Sequence, residues 1–238
     1  MAAVSSDLAD FVASHGGEGS LRVEENLGGG YVRLRVAEAE RRQAKHDIRC
    51  VEDVVVEMLR NSRDAGARRI FVATGRGGDT RTLTVVDDGS GIPQDMRERV
   101  FDARVTSKLE SMRMDRWGVH GRGMALFSVR ENASSARVMD SAPDKGSSIR
   151  VVTDATRLPE RADQSSWPSV GADDDGVQTV VRGPHNIIRS CCEFALEERG
   201  VCDVYVGSPA EIVATARRRV KPSLSSTDLL FVDSLREL

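Results

Sequence analysis

The chain has 238 residues, which is long enough for one or two domains with a buried core. It is 39% hydrophobic and 30% charged, as soluble globular proteins are, and its net charge of −3 argues against broad electrostatic binding to nucleic acid. The sequence contains no run of eighteen apolar residues, so we expect no membrane span.

The amino-terminal region and the cysteines indicate the compartment. The first residues lack a basic stretch followed by an apolar one, so no secretory signal is expected. The four cysteines show no CxxC spacing and two of them are adjacent, which is typical of reduced thiols rather than of a disulfide frame or a zinc site. We therefore expect a cytoplasmic protein.

Hydrophobic periodicity and turn residues predict the elements of the first half of the chain. The first is a mobile polar arm over residues 1–30, with one short helix near 7–13, and a strand follows at 31–36. Helices are then expected at 37–48 and 50–65, and a hairpin at 69–89. The second helix should end at Gly66, a residue type common just past a helix end. The hairpin should turn at residues 75–78.

The second half predicts further alternation of helices and strands. We expect a helix at 93–104, with Pro93 in its first turn, and another helix at 124–133. A second hairpin is expected at 136–154. Residues 157–176 are rich in Pro, Ser and Asp and predict a loop or linker. Beyond it we expect strands at 177–182 and 201–206 and helices at 186–199 and 209–219. The predicted organisation is therefore an arm (1–30), a main domain (31–156), a linker (157–176) and a small α/β extension (177–238).

The helix predicted at 50–65 carries an unusual polar row. Glu57, Asn61 and Asp64 are spaced by four and three residues, so they share one face. The residues expected to point toward the core are Val55, Met58, Leu59 and Ser62. A solvated polar face would explain the row by itself, but motifs further along the chain favour a functional site.

Two glycine-containing segments follow. In "DDGSGIP" a carboxylate at a strand end, Asp87, can accept a hydrogen bond from an exocyclic amine, and Gly89 and Gly91 allow the backbone to approach a flat ring. An ordinary Asp-Gly turn is the alternative. In "WGVHGRG" three glycines precede a helix, where exposed amides bind phosphate. The intervening "VTSKL" offers hydroxyls that could cap a helix and a lysine, Lys108, that could reach a phosphate.

Together these motifs resemble the GHKL ATPases, which include gyrase B subunits, heat-shock chaperones, sensor histidine kinases and MutL mismatch-repair proteins. The resemblance covers about residues 51–152 and rests on "E-x-x-x-N-x-x-D-A-G-A", "D-x-G-x-G-I", "T-S-K" and "G-x-x-G-x-G" in that order. Within the group, "NSRDAGA" and "TSKL" are most similar to MutL. The fold implied is a two-layer α/β sandwich, a mixed, largely antiparallel sheet with helices on one face.

The resemblance also implies roles for single residues. Glu57 would orient or deprotonate the attacking water, Asn61 would complete the Mg²⁺ shell, and Asp87 would accept from the adenine amino group. The other nucleotide contacts that it implies are Asp64, Gly89, Gly91, Ile92, Thr106, Lys108, Gly118, Gly121, Arg122, Gly123 and Ser148. Arg122 departs from the pattern, because MutL proteins carry an acidic residue in that region.

The function implied is ATP binding with slow Mg²⁺-dependent hydrolysis, in which a lid segment (residues 100–122) closes on ATP and drives a conformational change or dimerisation. Two alternatives stay open: a module that binds ATP without hydrolysing it and gates a protein partner, and a protein kinase of the anti-sigma type. The active relatives use a lysine from a second domain, and no match to that domain follows residue 157. Lys221 is the only lysine after that point. Nucleic acid is a partner by family analogy only.

Overall fold

The computed structural model describes residues 23–107, 113–116, 118–120, 123–172 and 175–220. The helices among them are α1 (Glu38–Asp47), α2 (Val51–Asp64), α3 (Ala125–Asn132), α4 (Ile187–Glu197) and α5 (Pro209–Val220). The strands are β1 (Val23–Gly28), β2 (Tyr31–Leu34), β3 (Arg69–Gly77), β4 (Thr80–Asp87), β5 (Val105–Thr106), β6 (Arg113–Asp115), β7 (Gly118–His120), β8 (Ser135–Ser141), β9 (Ser147–Asp154), β10 (Ser169–Ala172), β11 (Gln178–Arg182) and β12 (Asp203–Gly207). The short helix expected near 7–13 lies outside the described residues.

A five-stranded sheet organises the molecule. Its strand order is β12-β3-β4-β9-β8, in which the last four strands are antiparallel neighbours and β12 runs parallel to β3. Alternate residues of β3, β4 and β9 project to one face and join a single core with apolar residues of α2, α3 and α4. The expected two-layer sandwich of a mixed, largely antiparallel sheet is confirmed.

Helix α2 is the central element of the helical layer. It contains three consecutive valines, which are mediocre helix formers, so its stability comes mainly from packing. Val54, Val55 and Leu59 are fully buried against the sheet. The helix ends at Ala65, and Gly66 follows with a φ of +75°, a left-handed conformation that favours glycine. Because one face is fixed in the core, the polar row is fixed on the cavity side.

Helix α5 adds to this plan on the other face of the sheet. Phe71 of β3 and Tyr205 of β12 stack with ring centroids 4.9 Å apart. Along β3, Phe71 alternates with Ile70 and Val72, which are buried in the core. The Arg219 guanidinium of α5 lies over the Tyr205 ring at 5.1 Å. Helix α5 therefore packs outside the sandwich, against β3 and β12.

Three local predictions differ from the structure. Residues 93–104 form two 3₁₀ turns, Gln94–Met96 and Arg99–Phe101, instead of a helix. Met96 and Phe101 are both buried, and their spacing of five places them on different sides of an α-helix, so two short turns bury both. Strand β1 occupies the end of the predicted arm, where it pairs with β2, and β10 lies within the predicted loop.

Candidate functional site

A cavity of about 910 Å³ lies between α2 and the sheet, bounded by α1 and the segment before α3. Eight of the residues singled out in the sequence line it: Glu57, Asn61, Asp64, Asp87, Gly91, Ile92, Thr106 and Gly123. The lining combines apolar residues with many polar and charged ones. A concave space with polar groups that can orient a ligand is what a small-molecule site requires. The fold thus brings together one helix, one strand end and two loops.

Asp87 lies at the end of β4 and is held by three hydrogen bonds. Its Oδ1 accepts from the backbone N–H of Gly89 at 2.9 Å, and its Oδ2 accepts from the hydroxyls of Ser62 at 3.1 Å and Ser147 at 2.7 Å. Two carboxylate oxygens offer about four acceptor positions. One acceptor position therefore remains for a donor in the cavity. Gly89 does not line the cavity but fixes the orientation of this carboxylate.

The glycines after β4 serve a close contact within the protein. Gly91 has a φ of +70°, and a Cβ there would lie 1.9 Å from the carbonyl oxygen of Ala142. A Cβ at Gly89 would lie 2.8 Å from the carbonyl oxygen of Ala65. The sequence suggested that the backbone at these glycines approaches a ligand ring. In the structure, Gly91 instead packs closely against the β8–β9 turn, and Gly89 packs closely against the end of α2.

The other end of the cavity is built around Gly123, two residues before the start of α3. Gly123 has a φ of +67°, and its carbonyl oxygen accepts from the Arg104 N–H at 2.9 Å. Thr106 and Ser107 line the same region. Burial raises the pKa of Tyr31, and its hydrogen bond with Ser107 lowers it by less, so the phenol stays protonated at neutral pH as a donor beside the cavity.

The remaining predicted contacts fall elsewhere. Lys108, Gly121 and Arg122 lie outside the described residues, and Gly118 lies in β7 opposite Asp115. Ser148 is not among the cavity-lining residues, whereas its neighbour Ser147 is, and Ser147 bonds to Asp87. Of these two adjacent serines, the one on the cavity is therefore Ser147 and not the expected Ser148.

The polar row is not a solvated face. The Glu57 carboxylate forms an ion pair with Arg60 at 2.7 Å, and Asp64 forms one with Arg63 at 2.8 Å. Asp64 is buried and Glu57 is only one-fifth exposed. Mg²⁺ prefers one or two protein oxygens together with phosphate oxygens and water. The amide oxygen of Asn61, on the cavity wall, fits that donor set.

Sequence reasoning missed several cavity residues. Arg104 lines the cavity with a φ of +61°, is almost fully buried, and contacts the carboxylate of Glu40. Glu40, Gln43 and Asp47 of α1 also line the cavity. Their spacing of three and four is the same signal that identified the row on α2, and it could have found them. The left-handed backbone of Arg104 leaves no mark in the sequence.

Comparisons with known proteins identify the fold family. Residues 46–157 match the family model of histidine kinase-, DNA gyrase B- and HSP90-like ATPases. The chain is 41% identical over 85 residues to the DNA mismatch repair protein MutL of Thermus aquaticus, a match that covers 35% of this chain and 15% of that protein. It is 36% identical over 117 residues to MutL of Pseudomonas paraeruginosa, covering 48% and 18%. The crystal structure of full-length ShkA in complex with AMPPNP is similar at a TM-score of 0.31 and 15% identity, covering 68% of this chain and 33% of that one.

Residues 46–157 are therefore a domain of the GHKL ATPase superfamily. Within that superfamily it is similar to MutL mismatch-repair proteins, of which it spans less than one-fifth of the length. Membership of this family implies that the domain binds ATP. In the part of the chain that the structure describes, every helix is too short or too polar to cross a membrane.

Proposed function

We propose that the protein is a slow Mg²⁺-dependent ATPase that holds ATP between α2 and the sheet. The observation that supports this most directly is the placement of Asp87, Glu57 and Asn61 on one cavity. A base-recognition carboxylate, a candidate water-orienting carboxylate and a candidate metal ligand are the groups that ATP hydrolysis requires.

At the adenine end, Asp87 accepts a hydrogen bond from the exocyclic amine of the base. Its other acceptor positions are occupied by Gly89, Ser62 and Ser147, which fixes its direction. In this proposal Ser147 takes the position that the resemblance gave to Ser148. Guanine carries a carbonyl oxygen in place of that amine, so the carboxylate would reject it.

At the phosphate end, Asn61 holds Mg²⁺ when the metal is bound, and the metal neutralises phosphate charge. Glu57 orients the attacking water and accepts its proton. The amide of Gly123 and the hydroxyls of Thr106 and Ser107 face the triphosphate. Lys108, Gly118, Gly121 and Arg122 join them by resemblance to the family.

ATP binding would then close the lid segment, residues 100–122, and favour a conformational change or a weak homodimer. The hydrogen bond from the Arg104 N–H to the Gly123 carbonyl connects the start of the lid to the segment that precedes α3. Sedimentation with and without a non-hydrolysable ATP analogue reports on the dimer.

A second candidate function is ATP binding without hydrolysis, with the bound state gating a protein partner. The ion pair between Glu57 and Arg60 favours this alternative, because it engages one oxygen of the carboxylate that hydrolysis would need for water.

Glu57→Ala tests the proposal. The variant should keep Mg²⁺-dependent ATP binding and lose turnover, because a group that orients water acts mainly in the transition state. Phosphate release and calorimetry measure the two properties. Glu38→Ala is the matched control, since Glu38 is an exposed glutamate of α1 away from the cavity. Phosphate release by Glu57→Ala at the rate of the unchanged protein would show that Glu57 has no catalytic role. ATP binding by the unchanged protein without phosphate release would assign the gating function instead.

A further inference from the structure

A buried cluster of six charged side chains adjoins the cavity. It comprises Glu57, Arg60, Arg63 and Asp64 of α2, Asp115 of β6 and Glu198 at the end of α4. Arg63 bonds to Asp115 at 3.0 Å and to Glu198 at 2.7 Å. Three parts of the chain that are distant in sequence therefore meet through two arginines.

Arg60 is the member that contacts Glu57. Its Nε and Nη2 donate to the two carboxylate oxygens of Asp115, both at 3.0 Å, and its Nη1 donates to Glu57 at 2.7 Å. A bidentate pair fixes the plane of a guanidinium, because two parallel hydrogen bonds leave little freedom to rotate. Asp115 therefore sets the direction of Nη1, and Nη1 sets the position of the Glu57 carboxylate.

Burial makes this geometry consequential. The side chains of Arg60 and Asp115 are each 4% exposed, so water does not compete for their hydrogen bonds. Glu57 is the more exposed partner and is the end of the chain of contacts that faces the cavity. The Arg60–Asp115 pair is thus buried inside the protein, and Glu57, which can act on a ligand, lies at the cavity wall.

We propose that Arg60 is a positioning residue, which holds the Glu57 carboxylate in its orientation for water and is itself held by Asp115 of the β6–β7 hairpin. This inference rests on the proposed ATPase function. It links the position of the hairpin to the orientation of the Glu57 carboxylate, because a displacement of Asp115 changes the direction of the Arg60 guanidinium.

The test compares conservative variants by ATP turnover and ATP affinity. Arg60→Lys keeps the charge but loses the bidentate anchor, and Asp115→Asn keeps the shape but weakens the same anchor. Each should lower kcat about tenfold or more while the Kd for ATP changes by less than about threefold, as expected when an interaction acts only in the transition state.

Glu198→Gln is the control, because Glu198 is buried in the same cluster and contacts Arg63 rather than Arg60. It should lower the midpoint of urea denaturation as Asp115→Asn does but leave kcat unchanged. If it lowers kcat as much, the cluster is merely structural and the inference is wrong. Normal kcat in Arg60→Lys would also overturn it while leaving the ATPase proposal standing, whereas no hydrolysis by the unchanged protein would remove both.

Discussion

At the scale of single residues, the Asp87 carboxylate shows how three internal donors can prepare a group for a fourth. The Ser62 and Ser147 hydroxyls and the Gly89 amide fix both oxygens before any ligand arrives. Preorganisation of this kind lowers the ordering cost of binding. It also restricts the carboxylate to ligands that present a donor from the cavity side.

Asp87→Asn should therefore weaken ATP binding more than it weakens the fold. Loss of a hydrogen bond to a charged acceptor costs about 1.5–3 kcal/mol, or about ten- to a hundredfold in affinity. Calorimetry with ATP and GTP measures the effect. Asp88→Asn is the matched control, because Asp88 is the next residue and does not line the cavity. Equal affinity of the unchanged protein for ATP and GTP would contradict the assignment.

The sequence identified this residue but not its neighbour on β9. Asp87 lies opposite Ser147 in the β4–β9 pairing, so Ser147 shares its face and Ser148 points to the other. Two adjacent serines look alike in a sequence, and only the register of the strands distinguishes them. Arg60 and Arg63 were missed for a related reason, since Asp115 and Glu198 lie far along the chain.

At the scale of elements, Asp88 joins the start of β3 to the end of β4. Its carboxylate accepts from the N–H groups of Arg68 and Arg69 and from the Arg69 guanidinium, all at 2.8 Å. Partial burial opposes ionisation of Asp88, but the hydrogen bonds from Arg69 and Arg68 outweigh it and lower the pKa of the carboxyl below its ordinary value of 3.8.

The lowered pKa of Asp88 predicts that this residue accounts for part of the stability that the fold loses at acid pH. The unfolded chain takes up a proton on Asp88 at a higher pH than the folded protein does, so the stabilisation is complete above the ordinary pKa and is lost as the pH falls through the lowered one. Asp88→Asn should reduce stability at neutral pH and flatten its decline between about pH 5 and about pH 3. Urea denaturation across that range measures it. An unchanged pH slope in the variant would show that other carboxyls carry the effect.

Most elements were predictable because burial imposes one period on them. Helix α2 and the β3–β4 hairpin have one apolar face each, and that face appears directly in the sequence. The helix prediction for residues 93–104 was wrong because their buried side chains follow no helical period. Strand β1 was not predicted because it is largely exposed at the edge of its sheet. Packing at such an edge does not require apolar and polar residues to alternate.

At the scale of the whole molecule, the four thiols report on the integrity of the core. Cys50, Cys191 and Cys202 are buried, and Cys192 is partly exposed. Burial raises the pKa of Cys50 to about 12 and raises the pKa of Cys191 as well, which suppresses the reactive thiolate. Three of the four cysteines are therefore protected only while the protein is folded.

In the native protein near neutral pH, a thiol reagent should modify Cys192 first, and the other three should react together on denaturation. Mass spectrometry after timed labelling resolves the order, and Cys192→Ser is the control that should remove the fast phase. Rapid native labelling of Cys191 would show that α4 does not stay packed on α2.

Strand β12 completes the sheet beside β3, although most of the chain lies between them. On the ribosome, β3 is synthesised early and its outer edge has unpaired N–H and C=O groups until β12 emerges. The α2 surface that Ile187, Cys191 and Phe194 of α4 cover likewise stays exposed until α4 has been synthesised. Contacts between such distant segments form slowly. The nascent nucleotide-binding domain therefore passes through a stage with an open sheet edge, and it reaches its final form only after Gly207 has left the ribosome.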